Sequence, residues 1–176
     1  MSFILLRSGH RFDPDATMEN TYLIEDIAHA LSKEVRYGGH CRGSYTVAQH
    51  SVLCSKLVSP PNALCALMHD ATEAYIKDIP KPIKAFLGAS YEDLEYDVWQ
   101  GIASTFNLPH KLPNEVKQAD QAMMAIEVAS DIAPASSDPA WMKYNRHSTD
   151  SFTIDGIWTQ PAAEEAFLKR FWELTA

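Results

Sequence analysis

The chain has 176 residues, 46% of them hydrophobic and 22% charged, which is ordinary globular composition and excludes disorder as its main state. This length suits one core, so residues 1–176 are predicted to form a single domain. The formal net charge of -8 excludes a broad surface for a nucleic-acid polymer or an acidic membrane, which needs clustered Lys and Arg, but it allows a small phosphorylated substrate.

Helical periodicity of apolar residues dominates the chain, and no stretch alternates apolar and polar residues long enough to require a sheet. The opening segment, through Asn20, is predicted to be extended or rich in turns. The first helix is predicted at 24–35, and the second begins after a cap at Ser44 or Thr46. Further helices are predicted at 62–75, 91–106, 114–132 and about 161–174. The segments between them are predicted to be a loop or broken helix start at 78–86, a connection at 108–113, a loop at 134–141 and a short extended piece within 147–158. The predicted fold class is all-α, a compact bundle of five to six main helices.

Three cysteines occur in the chain, Cys41, Cys54 and Cys65, and no two of them have Cys-x-x-Cys spacing. The odd count and the spacing argue against a disulfide framework and against a thiolate zinc site. Cys54 and Cys65 lie in apolar runs and are interpreted as small buried hydrophobes. The apolar run at the N-terminus is far too short for a secretory or membrane segment, which predicts a cytoplasmic protein, or one in the host cytoplasm if a phage encodes it.

Two residues of metal-ligand type, His69 and Asp70, stand together in the apolar run LCALMHDATEAY. Burying an imidazole and a carboxylate without partners is costly, and a metal ion would remove that cost. Adjacent residues on a helix point about 100° apart, so both reach one ion only near a crossing of helices, and the other ligands must come from neighbouring helices. His50, in TVAQHSVLC, and Asp120, in VKQADQAMM, are the best partners. Such a set leaves coordination sites open for water and a substrate oxygen, as a catalytic metal requires.

The order His, His-Asp, Asp resembles the signature of the HD-domain phosphohydrolases. The segment HDATEAYIKDIPKPIK resembles the matching segment of the bacterial 5'-deoxynucleotidases and of related small phage and bacterial nucleotide hydrolases in that superfamily. TVAQHS, and Arg36 followed by the aromatic Tyr37, resemble further motifs of the same enzymes, in which tryptophan is typical after the arginine. The resemblance covers a motif core of about 25–126 and implies the HD-domain fold.

The resemblance also implies a ligand set and catalytic roles. One divalent ion, drawn from Co, Mn, Zn, Fe, Ni and Mg, would be held by His50, His69, Asp70 and Asp120. Glu73 would handle protons on the attacking water or the leaving group, and Asp78 would assist it or orient the sugar. The spacing shows no further histidines close to Asp70, so the predicted site is mononuclear.

Substrate contacts follow from the same resemblance. Arg36 and Lys84 would hold phosphate oxygens, Arg through its fork of donors and Lys as a point charge. Tyr37 would pack near the sugar and could disfavour a ribose 2'-hydroxyl. Arg42, in the GGHCRG stretch, could be a second phosphate contact, which would suit a di- or triphosphate better than a monophosphate.

Each of these residues also has an ordinary structural interpretation. His69 and Asp70 could be a hydrogen-bonded pair in the core. Glu73 could be a solvated helix residue, and Asp78 could cap the segment after Pro80. Arg36 could complement a helix dipole, and lysines such as Lys84 are common on surfaces.

The leading functional hypothesis is hydrolysis of a (deoxy)nucleoside 5'-monophosphate to nucleoside and phosphate. A second hypothesis keeps the fold and metal but releases triphosphate from a dNTP. A non-catalytic nucleotide-binding regulatory module and a purely structural metalloprotein are alternatives of other classes. The predicted partner is a nucleotide rather than a polymer or membrane, and the sequence leaves a homodimer or larger homo-oligomer open.

Overall fold

Several helices of this protein pack around one helix that is buried along its whole length. The computed structural model describes residues 3–133 and 152–176. Its α-helices are α1 (Ile24–Leu31), α2 (Val47–Cys54), α3 (Ala63–Met68), α4 (Glu73–Ile76), α5 (Lys81–Leu87), α6 (Ala89–Phe106), α7 (Asn114–Ala129) and α8 (Gln160–Thr175). The all-α prediction is therefore confirmed.

Short elements complete the described chain. Two-residue strands, β1 (Ile4–Leu5) and β2 (Arg11–Phe12), pair antiparallel with Ile4 opposite Phe12. Single 3-10 turns lie at Thr17–Glu19, Tyr37–Gly39 and Pro60–Asn62. Within the described ranges, no helix has both the length and the apolar character to cross a membrane.

Several helix boundaries differ from the prediction. The first helix ends at Leu31 rather than at residue 35, and α7 ends at Ala129 rather than at residue 132. Most of the segment 78–86 belongs to the helix α5, because its prolines lie before and within the first turn, where a missing N–H costs nothing. The predicted loop at 134–141 and the first residues of the extended piece, 147–151, lie outside the described residues.

The predicted helix 62–75 is two helices, α3 and α4, with a tight turn between them. The amides of Ala71, Glu73 and Ala74 each bond the carbonyl three residues back, at 2.9, 3.0 and 3.3 Å, instead of four residues back. These bonds tighten the backbone at the His69-Asp70 pair. The prediction of one continuous helix over 62–75 was therefore wrong, because apolar periodicity alone does not reveal such a turn.

Helix α2 lies at the centre of the molecule, with all of its residues buried. Its N-cap is Thr46, one of the two predicted caps, whose hydroxyl accepts from the Gln49 amide. The helix packs against α3, α7 and α8. A polar side chain on such a helix faces protein whichever way it points, so His50 needs partners from these neighbours.

Candidate metal centre

Two buried imidazoles, His50 in the middle of α2 and His69 directly after α3, face one another with ring centroids 5.3 Å apart. The Nδ1 atom of His69 donates to the Ala66 carbonyl at 2.8 Å. The Nδ1 atom of His50 donates to Glu127 Oε1 at 2.6 Å. With both Nδ1 atoms acting as donors, the lone pair of each imidazole in its neutral form lies on Nε2.

Two half-buried carboxylates approach these same Nε2 atoms. His50 Nε2 lies 3.3 Å from Asp120 Oδ1 and 3.7 Å from Asp70 Oδ2. His69 Nε2 lies 3.2 Å from Asp70 Oδ2 and 3.9 Å from Asp120 Oδ1. Two ligand atoms that each lie about 2.1 Å from one ion are about 3.0 Å apart at a right angle and about 3.4 Å apart at the tetrahedral angle. The predicted ligand residues thus come together from α2, α7 and the α3–α4 turn. The two shorter separations, 3.2 and 3.3 Å, lie within this range, and the two longer ones, 3.7 and 3.9 Å, stay below the limit of about 4.2 Å for ligands on opposite sides of one ion.

The charge and hydrogen bonding of this cluster fit a cation. His69 Nε2 is buried and has no hydrogen-bond partner among the described residues. Burial lowers the pKa of the His69 imidazole, but the charges of Asp70 and Asp120 raise it to about 9. Burial would raise the pKa of the Asp120 carboxyl, yet its bonds with the imidazoles hold it well below the usual range. The ionised carboxylates are therefore stabilised by positive charge nearby. In the metal-free protein an imidazole proton supplies that charge, and a bound divalent ion would take the place of the proton.

A thiol borders the same space. Cys54 is buried, and its Sγ lies 3.3 Å from His50 Nε2. Ligand atoms of His50, Cys54 and His69 all lie within 4.8 Å of one another, so these three residues form a cluster able to hold a metal ion.

Glu127 is a central residue that the sequence analysis did not single out. Its fully buried carboxylate accepts from His50 Nδ1 and from the Tyr37 hydroxyl, and Arg36 Nε and Nη2 each approach it to 3.4 Å. Burial raises the pKa of Glu127, but the charges of Arg36 and His50 outweigh it and lower the pKa to about 2. Glu127 follows Asp120 by two helical turns within an apolar run, which is the signal that could have identified it.

Two predicted substrate residues, Arg36 and Tyr37, line a cavity of about 290 Å³ beside the cluster. Arg36 is buried between two carboxylates, with Nη1 3.5 Å from Asp70 Oδ2 and its other nitrogens near Glu127. The Tyr37 hydroxyl donates to Glu127. Both side chains are thus held by the network that holds His50.

The predicted acid–base residues line the same cavity. Glu73 opens α4 and is buried rather than solvated, and its Oε2 has no hydrogen-bond partner within the described residues. Burial, with the charges of Asp70 and Asp78, raises the pKa of the Glu73 carboxyl well above its ordinary value. Burial also raises the pKa of Asp78, which does not cap α5, because the N-cap there is Pro80 without a side-chain bond.

A second cavity, of about 780 Å³, opens on the other side of Asp70, Glu73 and Asp120. Lys84 lines both cavities, and its Nζ pairs with Glu95 at 2.6 Å. Other residues of the larger cavity are Lys81, Tyr96, Trp99, His110, Lys111 and Lys117. Arg42 is exposed, pairs with Asp131 at 2.6 Å and lines neither cavity, so the structure does not bring it to the site.

Comparison with known proteins identifies relatives but no activity. The chain is 45% identical over 127 residues to the uncharacterized protein YfdR of Escherichia coli, covering 72% of this chain and 71% of the relative. It is 36% identical over 124 residues to the uncharacterized protein RCAP_rcc00048 of Rhodobacter capsulatus, covering 65% of this chain and 63% of that relative. No family model matches the chain. These names state no substrate or reaction, so function has to be argued from the site.

Proposed function

We propose, starting from the fact that this chain belongs to the same family as Escherichia coli YfdR, that it is a metal-dependent phosphohydrolase acting on nucleotides. One observation carries the proposal: imidazole nitrogens and carboxylate oxygens of His50, His69, Asp70 and Asp120 cluster at separations of 3.2 to 3.9 Å. Asp70 and Asp120 line both cavities, so a substrate in either cavity reaches the cluster. The resemblance to HD-domain phosphohydrolases in the sequence supports the same assignment.

The proposed chemistry divides between the ion and the chain. A divalent ion on the four ligands would supply Lewis-acid activation of water and of a phosphoryl oxygen. Glu73, whose raised pKa favours the neutral carboxyl, would give a proton to the leaving oxygen. Asp78, which is subject to the charges of Asp70, Arg36 and Lys84 as Glu73 is, would assist it. Arg36 would orient the phosphate, and the ion pair with Glu127 would hold the Arg36 side chain in place. Lys84 would exchange its bond with Glu95 for a phosphate oxygen.

The size of the larger cavity, and four lysines that stand among five acidic residues in its lining, support a second candidate reaction. Release of triphosphate from a dNTP would place three phosphates near the cluster, and Lys81, Lys84, Lys111 and Lys117 all line the cavity of about 780 Å³. Hydrolysis of a monophosphate to nucleoside and phosphate needs fewer cations and fits the Arg36 cavity of about 290 Å³.

A nucleotide panel tests the proposal. Metal-stripped protein is supplied in turn with Mg, Mn, Co, Ni and Zn and incubated with dAMP, AMP and dATP, and inorganic phosphate is separated from triphosphate. We expect turnover that depends on added metal. Release of phosphate from the monophosphates would support the first candidate reaction, and release of triphosphate from dATP would support the second. Asp120→Asn should lower the rate at least about 100-fold, since it removes a charged ligand.

The matched control is Asp131→Asn, the same chemical change at an exposed carboxylate outside the cluster, which should keep the wild-type rate. Full activity in the metal-stripped protein, or in Asp120→Asn, would contradict the proposal. Nucleotide binding without turnover of any substrate would favour a regulatory module instead.

A further inference from the structure

We infer that Tyr37 is a positioning residue of the metal centre. Its hydroxyl fixes the Glu127 carboxylate, and that carboxylate in turn orients the His50 imidazole so that Nε2 faces the ion. The inference rests on the metal centre of the proposed function, but not on its substrate. It gives Tyr37 a task beyond the sugar contact that the resemblance in the sequence implies.

The backbone at Tyr37 has a conformation that a tyrosine rarely adopts. All three residues of the 3-10 turn Tyr37–Gly39 have positive φ, of 59°, 59° and 80° in chain order. Gly38 and Gly39 adopt such angles readily because they have no Cβ, whereas Tyr37 is strained by them. Strain of this kind persists only where surrounding contacts over-determine the conformation, and it is concentrated at functional sites. The contacts of the Tyr37 side chain therefore indicate what the strained turn serves.

Two contacts hold the Tyr37 side chain at the site. Its hydroxyl donates to Glu127 Oε2, and the guanidinium carbon of Arg36 lies 5.4 Å from the centroid of its ring. The residue lines the cavity of about 290 Å³. The wall of that cavity is thus bonded directly to the carboxylate that holds His50.

The Glu127 carboxylate transmits the contact with Tyr37 to the imidazole. Its Oε2 accepts from the Tyr37 hydroxyl, while its Oε1 accepts from His50 Nδ1 at 2.6 Å. The Arg36 nitrogens approach the same carboxylate only to 3.4 Å, which is long for a hydrogen bond. A carboxylate fixed at both oxygens fixes the direction of the imidazole ring and leaves Nε2 for the ion. Loss of the hydroxyl should therefore weaken metal binding, although Tyr37 does not touch the ion.

A double-mutant cycle of zinc affinity tests the inference without reference to activity. Isothermal calorimetry with zinc is performed on the metal-stripped full chain for wild type, Tyr37→Phe, Glu127→Gln and the double variant. We expect Tyr37→Phe to bind zinc at least about 3-fold more weakly than wild type. In Glu127→Gln, one amide oxygen faces two donors, so adding Tyr37→Phe frees that oxygen for His50 and should cause no further loss.

The matched control is Tyr22→Phe, which also removes the hydroxyl of a buried tyrosine. The Tyr22 hydroxyl donates to the Thr17 carbonyl at 2.8 Å, outside the metal centre. This variant loses a buried hydrogen bond as Tyr37→Phe does, but it should keep the wild-type zinc affinity. A general loss of stability is thereby distinguished from a loss of positioning.

The outcomes separate this inference from the proposed function. Wild-type zinc affinity in Tyr37→Phe, an equal loss in Tyr22→Phe, or losses that add in the double variant would each overturn the inference and leave the hydrolase proposal intact. No zinc binding by wild type would overturn the inference and the metal centre together. Should Tyr37→Phe fail to fold, nitrogen-15 NMR of zinc-loaded wild type decides. We expect His50 to carry its proton on Nδ1 and zinc on Nε2, and zinc on Nδ1 would overturn the inference.

Discussion

Glu73 is a buried carboxyl whose charge state should depend on pH in the metal-free protein. Burial, then the charges of Asp70 and Asp78, raise its pKa well above the ordinary value. Between the ordinary pKa of about 4.3 and the raised one, the folded state binds more protons than the unfolded state. The contribution of Glu73 to the free energy of unfolding is therefore greatest below that window and falls as pH rises through it.

We predict that Glu73→Gln raises the Tm of the metal-free protein at neutral pH but leaves it near the wild-type value at about pH 4, where Glu is largely protonated in both states. Calorimetry across this pH range, in the presence of a chelator, measures the difference. Glu165→Gln, at an exposed glutamate, should follow wild type throughout. A Glu73→Gln curve parallel to wild type at every pH would mean that Glu73 is ionised in the folded state.

The sequence predicts which side chains come together in space where two features coincide, a ligand-type side chain and an apolar neighbourhood. His50, His69, Asp70 and Asp120 satisfy this criterion, and the structure brings them together. Glu127 satisfies it too, yet its role depends on the Nδ1 atom of His50, which only three-dimensional proximity reveals. Contacts of a side chain across helices, unlike its residue type, are not encoded in local spacing.

At the scale of elements, boundaries were less predictable than the helices themselves. Apolar periodicity predicted α6 and α7 nearly as observed, but it joined α3 to α4. The turn between them is made by backbone bonds within the range 68–74, which leave no mark on the apolar pattern. Since His69 and Asp70 lie in this turn, the site geometry depends on the part of the helix prediction that was wrong.

Glu127 connects α7 both to α2, through His50, and to the segment that precedes the 3-10 turn at Tyr37, through Arg36. We predict that Glu127→Gln lowers metal affinity by about 10- to 100-fold, because the amide orients the imidazole less firmly and no longer increases its basicity. Glu127→Ala should in addition cost about 3–5 kcal/mol of unfolding free energy, since Arg36 would lose a buried counter-charge.

Isothermal calorimetry with zinc measures the affinities, and denaturant unfolding of the metal-free protein measures the stability. Glu165→Gln and Glu165→Ala, at an exposed position of α8, are the matched controls. Wild-type zinc affinity in Glu127→Gln would show that the carboxylate is structural only.

At the scale of the whole molecule, the all-α class followed from the absence of alternating patterns, because a class depends on the sum of many weak signals. Convergence of α2, α7 and the α3–α4 turn was predicted for a different reason. Ligand-type residues isolated on three apolar helices can be satisfied only if those helices meet. An ion bound where these helices meet would therefore cross-link segments that are distant in sequence.

Such a cross-link should stabilise the folded chain by mass action, because the unfolded chain does not hold the four ligands together. At a free zinc concentration about 100 times the Kd, the gain is about 2.7 kcal/mol. For a domain of this size, that corresponds to a rise of about 5–10 °C in Tm. Thermal unfolding monitored by circular dichroism, in the presence of zinc or of a chelator, measures this rise in Tm. Asp120→Asn should lose most of the rise, and Asp131→Asn should keep it. An equal zinc-dependent rise in both variants would place the ion elsewhere on the molecule.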